Sequence, residues 1–176
     1  MANDALSSKR YAQAAFDVAG AALDTWQDEL NNLAAAVDNP DLAALVENPR
    51  APAQVKRDAL KASLPGLSEK ALNLATILAA KSRLKMLARP IATAFQAMVD
   101  QKRGIARIDV TTAIQMDAKQ QAQVTENIGN ATGMRVQASF RVNPSIQGGM
   151  TVRVGDRVLD GSVRSKLEGL RRSLVG

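Results

Sequence analysis

Carboxylates, lysines, serines and glycines are the residues that could do chemistry here, because the 176-residue chain contains no cysteine and no histidine. That excludes a Ser-His-Asp triad, a thiolate nucleophile and any imidazole or thiolate metal site. It excludes disulfides too, which suits a cytosolic face. Asp109, Asp156 and Asp160 would suit magnesium, a hard cation that takes oxygen ligands. Their spacing around an expected hairpin assigns them instead to turns and caps. Asp28 and Glu29 are adjacent, and adjacent residues on a helix do not face each other. No G-x-x-x-x-G-K-[ST] loop is present, and Gly148, Gly149 and Gly155 do not fit G-x-G-x-x-G and precede a strand. No catalytic constellation, cofactor or metal is therefore expected, and what the chain offers is surface for binding.

Composition divides the elements that shape this surface. Of 31 alanines, 25 lie in residues 1–104, and of 11 glycines, 8 lie beyond. Alanine favours helix and glycine punctuates strands and turns, so a helical bundle over 1–104 and a small mixed α/β domain over 105–176 are expected. The first helix is placed at about 5–22. Leu23, Trp26, Leu30, Leu33, Ala34 and Val37 form the stripe of a second, with Asp24 as its cap and Asn39-Pro40 as its end. A short helix carries Leu42, Leu45 and Val46. After Asn48-Pro49, Pro52 opens a helix with Val55, Ala59 and Leu60. Pro65-Gly66 is a turn, and Ser68 caps a helix to about Arg83. Met86, Leu87, Ile91, Ala94, Phe95, Met98 and Val99 stripe the sixth, with Pro90 near its start.

Beyond Gly104 the period becomes two. Ala106, Ile108, Val110, Thr112 and Ile114 predict a half-buried strand. Asp117 caps a helix to about Thr132 with Ala118, Ala122, Thr125 and Ile128 on its inner side. Val136, Ala138, Phe140 and Val142 predict a second strand, and Met150, Val152 and Val154 a third. Gly155-Asp156 turns into Val158-Leu159. Asp160 or Ser162 then caps a last helix with Val163, Leu167, Leu170 and Leu174.

Two surfaces stand out. On the first helix, Tyr11, Ala12, Ala14, Ala15, Phe16, Val18, Ala19 and Ala22 span about 200° at about 100° per residue, twice the arc a core-facing stripe needs. The helix around Ala71–Ala80 is apolar nearly all round, broken by Asn73 and Thr76. The two helices lie centrally in the bundle, or form a groove for an amphipathic helix of a partner; the readings are compatible. The second surface is the basic C-terminal helix with Arg164, Lys166, Arg171 and Arg172.

Charge is unevenly spread along the chain. Residues 1–60 hold 5 Lys/Arg and 9 Asp/Glu, a net of −4. Residues 61–134 hold 10 and 5, and residues 135–176 hold 8 and 3, each a net of +5. Nucleic acid, an anionic membrane surface or an acidic protein helix would each suit the basic end. Nucleic-acid readers interleave aromatics with basic residues, whereas Phe140 is alone in this half, so a protein partner is favoured. No run reaches the roughly 18–20 apolar residues of a membrane span, and Met1–Tyr11 lacks the apolar stretch of a secretory signal.

Several motifs together are similar to one family. They are Lys9-Arg10-Tyr11-Ala12-Gln13-Ala14-Ala15-Phe16; Asn48-Pro49 followed by Lys56; Lys81-Ser82-Arg83-Leu84 before Phe95; and Arg103-Gly104-Ile105-Ala106. The most specific is the closing set, Asn143-Pro144-Ser145-Ile146-Gln147-Gly148-Gly149, Val152-Arg153-Val154-Gly155-Asp156 and Asp160-Gly161-Ser162-Val163-Arg164. Over its whole length the chain resembles the delta subunits of F-type ATP synthases, the family of the mitochondrial oligomycin-sensitivity-conferring proteins. Asn143 stands where the family often has Asp, and Gln147 at a usually apolar place.

The resemblance implies a six-helix N-terminal domain, residues 1–104, that binds the N-terminal helices of alpha subunits on the catalytic head. It implies an α/β domain, residues 105–176, that binds the b subunits of the peripheral stalk. It further implies a non-catalytic stator subunit that resists rotor torque, present in one copy. Such a subunit sits on the cytoplasmic face of a bacterial cell membrane and touches the membrane only through its complex. Tyr11, Ala15, Val18, Ala75 and Leu78 are expected to receive the alpha-subunit helix, with Phe16 at the rim or in the core. Arg164, Lys166, Leu167, Leu170 and Arg171 are expected to meet the b subunits. A basic nucleic-acid-binding accessory protein is the alternative.

Overall fold

Helix-forming runs separated by Pro, Gly and Asn give the first half of the chain its shape. The computed structural model describes residues 2–146, 148–154 and 157–160. Six helices come first: α1 (Ala2–Ala19), α2 (Leu23–Ala36), α3 (Pro40–Glu47), α4 (Ala53–Ser63), α5 (Glu69–Ala80) and α6 (Leu84–Arg103). Then follow β1 (Ile105–Thr112), α7 (Ala118–Thr132), β2 (Arg135–Val142), β3 (Met150–Val154) and β4 (Arg157–Asp160). The fold class is therefore the expected one, a helical bundle followed by a small mixed sheet. The chain divides into two compact units, Met1–Val99 and Asp100–Gly176, with the boundary inside α6.

In the first unit the apolar stripes meet in one core. Leu30, Leu33, Leu60, Leu72, Leu78, Leu84, Leu87, Ile91 and Phe95 are all buried. Few aromatics are available, and three of them gather at its centre. Phe95 stacks on Trp26 with centroids 6.4 Å apart and meets the edge of Phe16 at 5.9 Å. Several local expectations need correction. α1 ends at Ala19, before Gly20, rather than near residue 22. Asp24 lies in the first turn of α2; the N-cap is Ala22, without a side-chain cap bond. Asn39 does not close α2 but opens α3, its side chain accepting from the Asp41 and Leu42 amides, with Pro40 at the first helical position. α5 ends at Ala80, three residues early. Met86 is 48% exposed and off the buried stripe of α6, which starts from Leu84, Leu87 and Ala88. Pro90 lies inside α6, and the helix runs through it. A proline there removes the hydrogen bond to the carbonyl of Met86, and both residues are exposed, so water can serve that carbonyl.

Gly104, at φ +65°, ends α6 in the left-handed region that favours glycine. The second unit is a four-stranded sheet in the order β2-β1-β3-β4. β1 pairs parallel with β2, Ile108 opposite Ala138, and antiparallel with β3, Val110 opposite Val152. Ile108, Val110 and Val152 form its core, covered by Val124 and Ile128 of α7. Asp117 caps α7 in a reciprocal box with Gln120, and Gly133 ends the helix at φ +66°. The inner side of α7 holds Gln121, Val124, Thr125 and Ile128; Ala118 and Ala122 are exposed. Ile114 lies past the end of β1 and is 77% exposed, so the strand is shorter than its alternation implied. β4 pairs antiparallel with β3, Val152 opposite Leu159. The turn assigned to Gly155-Asp156 and the final helix lie outside the described residues.

Candidate functional site

On α1 and α5, exposure divides the residues that the sequence singled out. Ala15, Ala75 and Leu78 are 3%, 0% and 1% exposed and belong to the core. Tyr11 and Phe16 are half-buried, Phe16 through its contact with Phe95. Val18 is 49% exposed, and Ala14 is exposed beside it. On a helix, Tyr11, Ala14 and Val18 follow one another at i, i+3 and i+7, so they share one side of α1.

On α5 the outward apolar residues are Ile77, 50% exposed, and Leu74, half-buried. The reading from sequence missed both. The signal that finds them is angular: they are large apolar residues lying off the arc through Leu72, Ala75 and Ala79. Lys81 Nζ, just past the end of α5, donates to Tyr11 Oη of α1 at 3.4 Å. Tyr11, Ala14 and Val18 on α1 and Leu74 and Ile77 on α5 are a set of exposed and half-buried, mostly apolar side chains, with Lys81 as a cation past the end of α5. It holds no acid–base pair and no nucleophile with a base. Its chemistry is burial of another apolar surface.

In the second unit the sheet has one apolar face, under α7, and one polar face. Alternation and register place Arg107, Asp109, Arg135, Gln137, Ser139, Arg141 and Arg153 on the polar face. Asp109 accepts from Ser139 Oγ and lies 3.9 Å from an Arg141 nitrogen. It sits mid-strand and not in a turn or cap as the sequence suggested. Arg107 forms a two-pronged contact with Asp100, Nε and Nη2 at 2.5 and 3.2 Å. This arginine-rich face escaped the sequence reading because its members are spread over three strands. A recess of about 510 Å³ lies between the end of β1, α7 and Gly148–Met150, lined by Ile114, Met116, Val124 and Met150. Among the described residues no group of three acidic side chains is placed to share a cation. The side chains of Asp156 and Asp160 lie outside the described residues. So do Arg164, Lys166, Leu167, Leu170 and Arg171. Among the described residues no helix is long and apolar enough to cross a membrane.

Comparison with known proteins places this geometry. A family model described as ATP synthase delta (OSCP) subunit matches residues 8–174. The ATP synthase subunit delta of Anaeromyxobacter dehalogenans is 35% identical over 172 residues, covering 95% of this chain and 96% of its own. Those of Desulforamulus reducens and Cupriavidus metallidurans are each 31% identical, over 96% and 99% of this chain and 94% and 99% of their own. Among solved structures, a chain of the Toxoplasma gondii mitochondrial ATP synthase hexamer is similar, with a TM-score of 0.70 and 28% identity. That likeness covers 96% of this chain and 97% of the other.

Proposed function

The chain belongs to the ATP synthase delta (OSCP) subunit family, and from that premise we propose how its two units serve the complex. It is a structural subunit of an ATP synthase, a component of the stator. Nothing in the comparisons supports nucleic acid as its partner. The first unit takes the N-terminal helices of alpha subunits on the α1–α5 face. The second unit takes the b subunits of the peripheral stalk. The protein does no chemistry, is present once per complex, and reaches the membrane only through its neighbours. In a bacterial cell that places it on the cytoplasmic face.

One observation carries this reading: Val18 of α1 and Ile77 of α5 are large apolar residues left 49% and 50% exposed, on two helices linked by the Lys81 to Tyr11 hydrogen bond. An amphipathic helix laid there would bury both, and apolar burial contributes about 25 cal/mol per Å² before association costs. For the second unit the support is charge. The polar face of the sheet carries four arginines, and residues 161–176 add Arg164, Lys166, Arg171 and Arg172, a match for an acidic stalk segment. The test is calorimetric titration of the full chain with a synthetic peptide of an alpha-subunit N-terminus. Saturable binding that weakens at least about tenfold in Val18→Asp and in Ile77→Asp is expected, since each puts a charge into a desolvated contact. Absence of binding by the folded wild-type chain would overturn the assignment.

A further inference from the structure

α5 is held at both ends by buried charges of opposite sign. At its start, Glu29 of α2 is 6% exposed. It accepts from the Ser68 amide at 2.7 Å and from Ser68 Oγ at 2.9 Å. Ser68 is the N-cap of α5, and its Oγ in turn accepts from the Ala71 amide at 3.3 Å. The carboxylate therefore backs the cap. At the other end, Lys56 of α4 is 1% exposed, and its Nζ donates to the Ala79 carbonyl at 2.7 Å. The same carbonyl accepts from the Ser82 amide at 3.0 Å, in a turn where Ser82 takes a φ of +49° and the Arg83 amide returns to Leu78 at 3.0 Å.

A helix is partly positive at its N-terminus and partly negative at its C-terminus. An anion at the first end and a cation at the second match both. α2 and α4 carry no side-chain cap bond at their starts, so this treatment is not general in the bundle. Buried charges are costly, and apolar residues of similar volume often replace them without loss of stability. Their presence at both ends of one helix is explained by what that helix does. We propose that Glu29 and Lys56 are positioning residues, a clamp that fixes α5 so that Ile77 and Lys81 stand ready for the partner helix. This rests on the docking reading above and deepens it. The docked face need not order on binding, and less ordering means tighter binding.

The experiment compares the full-length wild type with Lys56→Met and Glu29→Gln, which keep side-chain length while removing charge. Val99→Ala, a core truncation on α6, controls for general destabilisation. Two readouts are taken: amide hydrogen exchange across α5, and calorimetric titration with the alpha-subunit N-terminal peptide. In the clamp variants, exchange rises at the ends of α5, Ala71 in Glu29→Gln and Ser82 and Arg83 in Lys56→Met. Peptide affinity falls about tenfold or more in a chain that still melts cooperatively. Val99→Ala keeps both near wild type at matched melting temperature. Unchanged α5 exchange in both clamp variants overturns the clamp, whatever the peptide does. Wild-type affinity in variants whose α5 exchange has risen overturns the positioning role. A wild-type chain that ignores the peptide overturns the docking reading, and α5 exchange then decides the clamp by itself.

Discussion

Single residues separate two jobs on the same helices. Ala15, Ala75 and Leu78 fill the core, while Val18 and Ile77, one or two positions away in angle, face outward. Phe95 shows what the inner job costs to remove. It is 0% exposed and packed against Trp26 and Phe16, so Phe95→Ala is expected to lose about 3–5 kcal/mol, read from the thermal or urea transition of the first unit. Val18→Asp is the opposite case. It should change stability by less than about 0.5 kcal/mol, as surface substitutions do, and show its effect in binding alone. Tyr11, Ala14 and Val18 were visible in sequence because they share one side of a regular helix. Lys56 was not. A lysine reads as solvated from sequence, and only the fold reveals that its ammonium reaches the Ala79 carbonyl.

At the scale of elements, end signals decided most of what could be read. Ser68 and Asp117 are short polar side chains followed by a helical run, and both cap as expected. Asp117→Ala breaks the reciprocal box and should destabilise the second unit by about 1 kcal/mol, measured by its denaturant midpoint. Asn39 was misread because Asn-Pro ends one helix as readily as it starts the next; the Pro40 ring fits the first turn, which settled the matter for α3. Ile114 continues an apolar period past the point where burial stops, and periodicity does not say where the partner surface ends; Met86 is apolar but lies off the face that Leu84, Leu87 and Ala88 bury. Ser82 is the described non-glycine residue with positive φ. Ser82→Gly should relieve that strain and stabilise the first unit by up to about 1 kcal/mol, visible as a higher melting temperature. A lower one would mean that the turn after α5 is held by more than backbone preference.

For the whole molecule, composition separates an alanine-rich part from a glycine-rich one, and the chain forms two compact units. The alanine-rich first half builds a bundle that leaves Val18 and Ile77 exposed; the glycine- and arginine-rich second half builds a sheet with an arginine-rich face. Family membership says which machine the chain belongs to, and the surfaces carry the proposal for where each neighbour sits. If the second unit and its basic end meet the stalk, truncation after Asp160 should release the stalk subunits in co-purification while the catalytic head is retained. The most direct measurement is hydrogen exchange of the full chain, free and bound to a catalytic head whose alpha subunits keep their N-termini. Slowed exchange concentrated in Tyr11–Val18 and Leu74–Lys81 is the expected result. Protection elsewhere in the first unit, with those two stretches unchanged, would contradict the assignment of the α1–α5 face.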